Sequence, residues 1–527
     1  MNRRLLLVLL LVITSACRRA ELPAREHDNT LVRRLIADVS TLNPVCAKAP
    51  WDGYVFRYLF TPLIDVNAQG QPIPGLASWS ISPDGRMYHF VLDKRATFSD
   101  NTPVRATDVL FTLRKIAQAG GSLAGSFEQL DFERSCVRDA HTLDVAFREP
   151  LATQLMRFRD VLVLPEHVYA TATCDDHSTT TVGSGPYTLT RHESGKRIIL
   201  QRRAQYWREM PHIQTVIFQV VTDYTTAWNA LTLGQLDETA VTSAVWAHEQ
   251  HNPAHAGKLI FRSFYTPSYD YIAWNLRHPV LRDDRVRRAL AMCIPVDTII
   301  QTIFYSTARP LTGPFTPDEY AYNSSLPRIP YAPEQARQLL AAAGWHDHNG
   351  VLQKNGRPFT LSLLLVESPT SKQVAQLVQA EWQSIGISTT IERVDGTTQR
   401  ARMQAGNYEA AYSGWELDLE PDPYTMFHSS QVSKEGHNFV FYRNSQADRL
   451  LEEARRELEQ AKRQALYRRL HVLLAADQPY AWTFQVGTKW VFNQRVRGVK
   501  FSPRMGPYLW YPGELAWSLA PAQTSNP

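Results

Sequence analysis

The sequence predicts an α/β protein with two lobes and a third, mainly antiparallel domain inserted near its amino end. Helical and strand-like segments alternate over residues 330–415, and a second, shorter alternation covers 216–241. Between residues 66 and 182 short strands and turn sequences dominate instead, which is typical of an antiparallel domain. Two α/β units in one chain indicate two lobes with a cleft between them.

The clearest pattern is β-α-β-α-β after a first helix. Pro333 stands at the start of that helix and Gly344 ends it, as a residue after a helix carboxyl end often does. Such alternation predicts a parallel, doubly wound sheet with right-handed crossovers. The predicted elements are a strand at 359–366, a helix at 372–385, a strand at 387–394, a helix at 397–405 and a strand at 408–413.

The second α/β unit has the same order on a smaller scale. A strand is predicted at 216–221, a helix at 225–233 that ends at Gly234, and a further strand from Asp237. Apolar residues at helical spacing predict one long amphipathic helix over 446–476.

The amino end has the pattern of an export signal. Arg3 and Arg4 precede nine apolar residues, 5–13, which are too few to span a bilayer. Small residues at 14–16 then precede Cys17, which resembles the lipidated cysteine of a bacterial lipoprotein. The sequence therefore predicts a signal peptide over 1–16 and a lipid anchor on Cys17.

Composition excludes some classes of function. The formal charge of +5 falls to about +3 without Arg3 and Arg4, and no basic run carries interleaved aromatic residues, so nucleic-acid binding is not expected. Neither a cofactor nor a metal ion is expected. The cysteines after Cys17 are 46, 136, 174 and 293, which allow three connectivities; the pair 136 and 174 is preferred because both lie in the inserted domain.

Asp418 is the first candidate for ligand contact. It follows the predicted strand at 408–413 within the segment SGWELDLEPDP, residues 413–423. Ligands of open α/β sheets bind beyond the carboxyl ends of the strands. An acid at that place can hold the cationic end of a small molecule.

Several landmarks then carry a resemblance to the extracytoplasmic solute-binding proteins of ABC importers, in the oligopeptide, dipeptide and nickel group (solute-binding family 5). Each is short, but together they follow the family order over nearly the whole mature chain. They are STLNP at 40–44, PGLASW at 74–79 with SPDG at 82–85, FSDNTP at 98–103 with ATDV at 106–109, GSGPY at 183–187 with YW at 206–207, Asn275 with DRVRRAL at 284–290 and Asp297, 336–345, and NFVFY at 438–442 with 448–454.

The resemblance implies a class II periplasmic-binding-protein fold in which two α/β lobes close on a hinge over a ligand. It also implies a monomer in the periplasm or on the outer face of the cell membrane, with the permease subunits of an ABC importer as partners. The domains expected are the signal peptide at 1–16, lobe I at 17–65, 183–262 and 480–522, the inserted domain at 66–182, lobe II at 263–479 and a disordered tail at 523–527.

The resemblance further implies that the acid of a Gly-Trp-x-x-Asp segment pairs with the α-ammonium of a peptide, which here is Asp418. Trp415 is expected to form a cleft wall, and the main chain of Gly414 to Glu416, and of residues 30–33 including Arg33, to pair with the ligand backbone. The region after Glu367 lacks the arginine with which some members hold the far end of a dipeptide. Alternatives are another solute in the same fold, such as a nickel chelate, haem or oligosaccharide, or an exported enzyme with an acidic cleft, although the sequence offers no catalytic companion for Asp418.

Overall fold

The structure is a computed structural model that describes residues 29–47, 49, 51–173, 181–433 and 436–520. The predicted signal peptide, Cys17, Cys174 and the predicted tail therefore lie outside the described residues.

The strands of the described residues are numbered in chain order. They are β1 (Thr30–Leu35), β2 (Ile64–Val66), β3 (Pro72–Pro74), β4 (Ala77–Ile81), β5 (Met87–Leu92), β6 (Leu130–Val137), β7 (Thr142–Phe147), β8 (Tyr187–Glu193), β9 (Arg197–Arg202), β10 (Thr215–Val220), β11 (Glu238–Ala240), β12 (Leu259–Phe264), β13 (Ser268–Trp274), β14 (Ala308–Pro310), β15 (His346–His348), β16 (Val351–Lys354), β17 (Arg357–Pro358), β18 (Thr360–Val366), β19 (Ser388–Val394), β20 (Ala410–Glu416), β21 (Tyr480–Val486), β22 (Thr488–Asn493), β23 (Val496–Arg497) and β24 (Ser518–Leu519).

The α-helices are numbered in the same way. They are α1 (Asp52–Leu59), α2 (Ala106–Ala119), α3 (Gly121–Ser126), α4 (Gln154–Arg157), α5 (Glu166–Tyr169), α6 (Tyr224–Thr232), α7 (Ser243–Glu249), α8 (Asp284–Met292), α9 (Val296–Thr302), α10 (Pro333–Ala342), α11 (Pro369–Ser384), α12 (Gly396–Ala405), α13 (Tyr424–Phe427), α14 (Ser445–Arg456) and α15 (Gln460–Asp477).

Lobe I is built on a seven-stranded sheet in the order β12-β22-β11-β1-β10-β9-β8. β1 lies parallel to both β10 and β11, while β9 and β22 run antiparallel to their neighbours. One face of the sheet buries a core that includes Leu31, Phe218, Phe492 and Trp517. Strands from three distant parts of the chain therefore build one sheet.

Lobe II is built on a six-stranded sheet in the order β14-β21-β13-β20-β18-β19. β18 is parallel to both β19 and β20, with α11 and α12 as the crossovers, so the predicted β-α-β-α-β unit is confirmed. β13 and β21 run antiparallel beside it, and apolar cores cover both faces of the sheet.

The inserted domain contains a four-stranded antiparallel sheet in the order β4-β5-β7-β6. Its core includes Phe90, Val109, Leu113 and Phe158, and Val109 and Leu113 come from the apolar face of α2. This sheet corresponds to the antiparallel domain predicted between residues 66 and 182.

The chain passes between the two large sheets at residues 265–267 and again at Gly487. Gln485 Nε2 donates to the Thr266 carbonyl at 2.6 Å, and the Gly487 amide donates to the Thr307 carbonyl at 2.8 Å. A Cβ atom on Gly487 would lie 2.8 Å from that carbonyl oxygen, so the close approach requires glycine. The return to lobe I was predicted at residue 480, but β21 pairs with β13 and β14 in lobe II, and the return follows it.

Two further predictions are wrong. The long helix at 446–476 is two helices, because Glu457 and Glu459 have extended backbone angles. Between them Leu458 packs on the turn at Gly85 of the inserted domain, where an added Cβ atom would lie 2.9 Å from Leu458 Cδ1. Helical periodicity continues through the break, so the pattern of apolar residues does not reveal it.

The preferred disulfide between residues 136 and 174 is also wrong, because Cys136 is a free, exposed thiol. Cys46 is disulfide-bonded instead, and Cys293 is free and buried.

Candidate functional site

At the carboxyl end of β20, the edge turned away from β13 is not paired with any strand of the described residues. β20 pairs with β13 along its whole length but with β18 only as far as Tyr412. The Leu417 amide donates to the Pro267 carbonyl at 2.8 Å, which sets the phase of the ladder with β13. Because antiparallel residues alternate in the direction of their main-chain groups, the amide and carbonyl groups of Gly414 and Glu416 point to the opposite edge. Both residues are exposed there.

Trp415 lies on the other face of the same strand. Its ring stacks on Tyr271 and Phe439, with centroids 6.3 and 5.7 Å away and interplanar angles of 11° and 14°. Its Nε1 donates to the Tyr480 hydroxyl at 3.2 Å. The ring also borders the cavity described next, so it packs on the core of lobe II and forms part of a cavity wall.

A cavity of about 1250 Å³ lies beside this strand end. Lobe II contributes residues 415–418 and 421–426, while the inserted domain contributes Gln129, Leu151 and Arg157. The volume exceeds the roughly 300–1,000 Å³ of ordinary small-molecule pockets. The cavity can therefore hold an extended ligand of several residues.

Asp418 lines this cavity, and its side chain is exposed to the space inside it. Enclosure by the surrounding protein raises the pKa of its carboxyl group, the charge of Asp160 raises it further, and Arg157 lowers it in part. Among the described residues no group donates a hydrogen bond to this carboxylate. A cation placed in the cavity would therefore stabilise the ionised form of the Asp418 carboxylate.

The neighbouring acids of the same loop are already paired. Asp422 accepts from Arg455 at 2.8 Å and from Arg157 at 3.2 Å, which joins the inserted domain to lobe II. Glu420 accepts from Arg463 at 2.8 Å. These pairs distinguish Asp418 from the other acids, a distinction that the sequence did not provide.

Arg33 does not lie at this site. Its side chain is 2% exposed and donates to Glu238 at 2.6 Å and to the Tyr58 hydroxyl at 3.1 Å. β1 is also an internal strand, because β10 pairs with residues 30–35 on one side and β11 pairs at Arg33 on the other, where the Val32 amide donates to Asp237 at 2.8 Å. The expectation that Arg33 and its strand contact the ligand is therefore wrong, because hydrogen bonds within lobe I already use these groups.

An interlobe ion pair also borders the cavity. The Glu319 side chain of lobe II is 1% exposed and lies 3.3 Å from Arg504 of lobe I. It accepts from the Thr316 amide at 2.6 Å. Burial raises the pKa of Glu319 to about 7, while Arg504 lowers it. The sequence carries no local signal for this pair, since its members are far apart in the chain.

A second cavity, of about 540 Å³, opens between lobe I and lobe II. It is lined by Thr242–Ala244, Thr302–Tyr305 and, from α11, Thr370, Gln373, Gln376 and Leu377, none of which carries a charge. Lys372, the cation nearest to the position of the missing arginine, is not part of this lining. The buried Lys489 contacts this lining, because its Nζ donates to Ser243 Oγ at 2.8 Å and to Thr307 Oγ1 at 3.0 Å.

In the described part of the chain no group of three or more His, Cys, Asp or Glu side chains is placed to hold a metal ion. Of the histidines at 248, 251 and 255, His255 donates through Nε2 to the Glu249 carboxylate at 2.9 Å. Of the helices in the described ranges, none combines the length and the apolar character that a membrane crossing requires.

Comparison with known proteins gives consistent matches. The family model for bacterial extracellular solute-binding proteins, family 5, matches residues 71–438. The oligopeptide-binding protein AppA of Bacillus subtilis is 25% identical over 451 residues, which cover 80% of each chain. A dipeptide-binding protein of Pseudomonas aeruginosa is 26% identical over 477 residues, covering 84% of this chain and 87% of the relative.

Two solved structures share the fold. AppA from Bacillus subtilis in complex with a nonapeptide superposes with a TM-score of 0.78 at 23% identity, covering 93% of this chain and 99% of that one. NikA from Brucella suis in complex with Fe(III)-EDTA superposes with a TM-score of 0.81 at 21% identity, covering 90% and 97%. The two-lobed fold with an inserted domain is thus confirmed.

Proposed function

The chain belongs to family 5 of the bacterial extracellular solute-binding proteins, and from this premise we propose that it captures peptides in its interlobe cleft and delivers them to an ABC importer. The observation that carries the proposal is the main-chain edge at Gly414 and Glu416, which no strand of the described residues covers and which leads directly to Asp418, a carboxylate to which no described residue donates a hydrogen bond. An extended chain with a free amine fits both features at once.

The free edge supports recognition of a peptide main chain. An extended ligand beside Gly414 and Glu416 adds a strand to the sheet of lobe II, where each hydrogen bond contributes a net ~0.5–1.5 kcal/mol. Such bonds do not depend on the ligand side chains. The site is therefore expected to accept peptides of varied sequence.

Asp418 supports recognition of the amino end. A carboxylate and an ammonium group form a charge-assisted hydrogen bond that is roughly twice as strong as a neutral one. Asp418 lies two residues beyond Glu416, so a peptide along the edge places its terminus near the carboxylate. Trp415 contributes its ring to the adjacent wall.

Contacts across the cleft support closure around the ligand. The Ala152 amide of the inserted domain donates to the Arg455 carbonyl of lobe II at 2.8 Å, and Arg157 pairs with Asp422. Leu419 of lobe II packs against the apolar cluster of Val66, Met505 and Trp510 from the other side of the cleft. A ligand that contacts both sides stabilises this closed arrangement by its greater affinity for it.

The expected cellular context completes the proposal. We infer that the chain is exported, that Cys17 carries a lipid anchor, and that the monomer works on the outer face of the membrane with ABC permease subunits. Mass spectrometry of the amino-terminal peptide from membrane fractions tests the anchor. An unmodified Cys17, or cleavage elsewhere, would refute it.

Calorimetry tests the ligand class. Protein that has been unfolded, dialysed and refolded, to remove ligand acquired during expression, is titrated with a mixture of peptides of two to nine residues. Heat of binding with micromolar or tighter affinity is expected. Failure of every peptide to bind would refute the peptide proposal, and mass spectrometry of the material released on unfolding would then identify the solute class.

A further inference from the structure

We propose that Asp270 gives the cleft a second cation site, which receives a lysine or arginine side chain of the bound peptide at the ligand residue opposite Gly414. The inference rests on the proposed function, because it requires the peptide main chain to lie along the edge of β20. It concerns the side-chain preference of that site, which neither Asp418 nor the free edge determines.

Asp270 occupies the space over Gly414. The two residues lie opposite each other on β13 and β20. The phase set by Leu417 and Pro267 makes them a non-hydrogen-bonded pair, the arrangement in which antiparallel side chains come closest. A Cβ atom on Gly414 would lie 2.9 Å from Asp270 Oδ1. The absence of a side chain at 414 therefore allows the carboxylate to lean over the strand toward its free edge.

The carboxylate has capacity for a cation. Oδ2 accepts the Tyr412 hydroxyl at 2.7 Å, whereas Oδ1 is not engaged by any donor in the described ranges. Across those ranges no lysine, arginine or histidine lies within ion-pair distance of Asp270. Burial raises its pKa to about 6, and the hydrogen bond from Tyr412 opposes the shift. At neutral pH the group is thus mainly ionised but poorly compensated, and a partly buried carboxylate of that kind is stabilised by a cationic partner.

A ligand side chain can reach it. A strand added at the free edge lies about 4.8 Å from β20, and side chains of neighbouring residues on one face have Cβ atoms ~4.5–5.5 Å apart. With only a hydrogen atom at the Gly414 Cα, a lysine or arginine opposite it can extend across the strand to Oδ1. This contact is separate from that at Asp418, four residues further along the chain.

A lysine scan tests the inference. Pentaalanine peptides with a single lysine, and matched peptides with norleucine at the same position, are titrated into the wild type at pH 7.5. We expect one scan position to prefer lysine over norleucine by about tenfold, the lower end of the range for a hydrogen bond to a charged group. In Asp270→Asn that preference should be lost, while pentaalanine should bind within about twofold of wild type, because asparagine can still accept the Tyr412 hydroxyl.

The control is Asp347→Asn, which removes one charge from the exposed strand β15 of lobe II and should keep the preference. A second variant, Gly414→Ala, places a methyl group between Asp270 and the ligand and should also abolish it, which keeps the test open if Asp270→Asn folds poorly. The inference is overturned if no position prefers lysine in the wild type, or if both variants retain the preference. Failure of the proposed function has a different signature, since then pentaalanine itself does not bind.

Discussion

Replacing Asp418 by asparagine is the sharpest test of how the cleft holds a peptide. The substitution keeps the size and shape of the side chain and removes its charge. Because no group in the described residues donates to this carboxylate, the change leaves no protein donor without a partner. The fold should therefore be unaffected, and the melting temperature should stay within about 2 °C of wild type, the usual range for a surface substitution.

The expected loss of affinity follows from the setting of the carboxylate. A hydrogen bond to a charged group contributes ~1.5–3 kcal/mol, and the enclosed cavity favours the middle of that range, while nearby Arg157 offsets part of it. About 2 kcal/mol corresponds to a roughly 30-fold weaker dissociation constant for a peptide with a free amine. The same peptide after N-acetylation carries no ammonium group and should change by less than about threefold.

Calorimetry with the free and acetylated forms of one tetrapeptide measures both effects. Glu128→Gln is the matched control, because it removes a charge from the opposite wall of the same cavity. It should weaken both peptides equally and only slightly. Equal losses for the two peptides with Asp418→Asn would refute amine pairing, and so would a loss with Glu128→Gln as large as that with Asp418→Asn.

Three further predictions follow from the contacts described above. Gly487→Ala places a Cβ atom 2.8 Å from the Thr307 carbonyl at the hinge, so ligand should contract the variant less than wild type in small-angle X-ray scattering; equal contraction would contradict this. Glu319 has a pKa raised to about 7, so its stabilising contribution is present below the ordinary value near 4.5 and is lost as pH rises through 7. The melting temperature of Glu319→Gln should accordingly rise relative to wild type between pH 5 and pH 8, and a difference independent of pH would disprove the assignment. Trp415→Ala removes a ring stacked on Tyr271 and Phe439 and should lower the free energy of unfolding by ~2–4 kcal/mol in urea titrations, whereas a loss of binding alone would show that the ring serves only the cleft.

The succession of helices and strands in lobe II could be predicted because it is a local property. Spacing of apolar residues at 3.6 and 2 residues, with Pro333 and Gly344 at helix ends, reflects which face of each element is buried. The same local signal failed at Leu458. There the apolar spacing continues, but the backbone is extended at Glu457 and Glu459, where Leu458 contacts Gly85 of the inserted domain.

The position of Asp418 after a strand could also be predicted. The sequence could not show whether its carboxylate is available to a ligand or already paired with an arginine. Asp418, Glu420 and Asp422 stand at every second position and look alike in the sequence. Arg463 pairs with Glu420, and Arg157 and Arg455 pair with Asp422. These partners come from distant segments, so only the folded chain shows which of the three acids is left for a ligand.

The sequence alone therefore determined the α/β class, the inserted antiparallel domain, the family and the strand end that carries Gly414 to Asp418. It did so because these features depend on residues close together in the chain or on ordered short motifs. The tertiary structure decided which groups are available. It buried Arg33 against Glu238 and placed Asp270 over Gly414, each through a contact between segments brought together only by the sheets. A polar group can bind a ligand only where other protein groups do not already pair with it. Those partners come from distant parts of the chain, so the local sequence pattern does not show them.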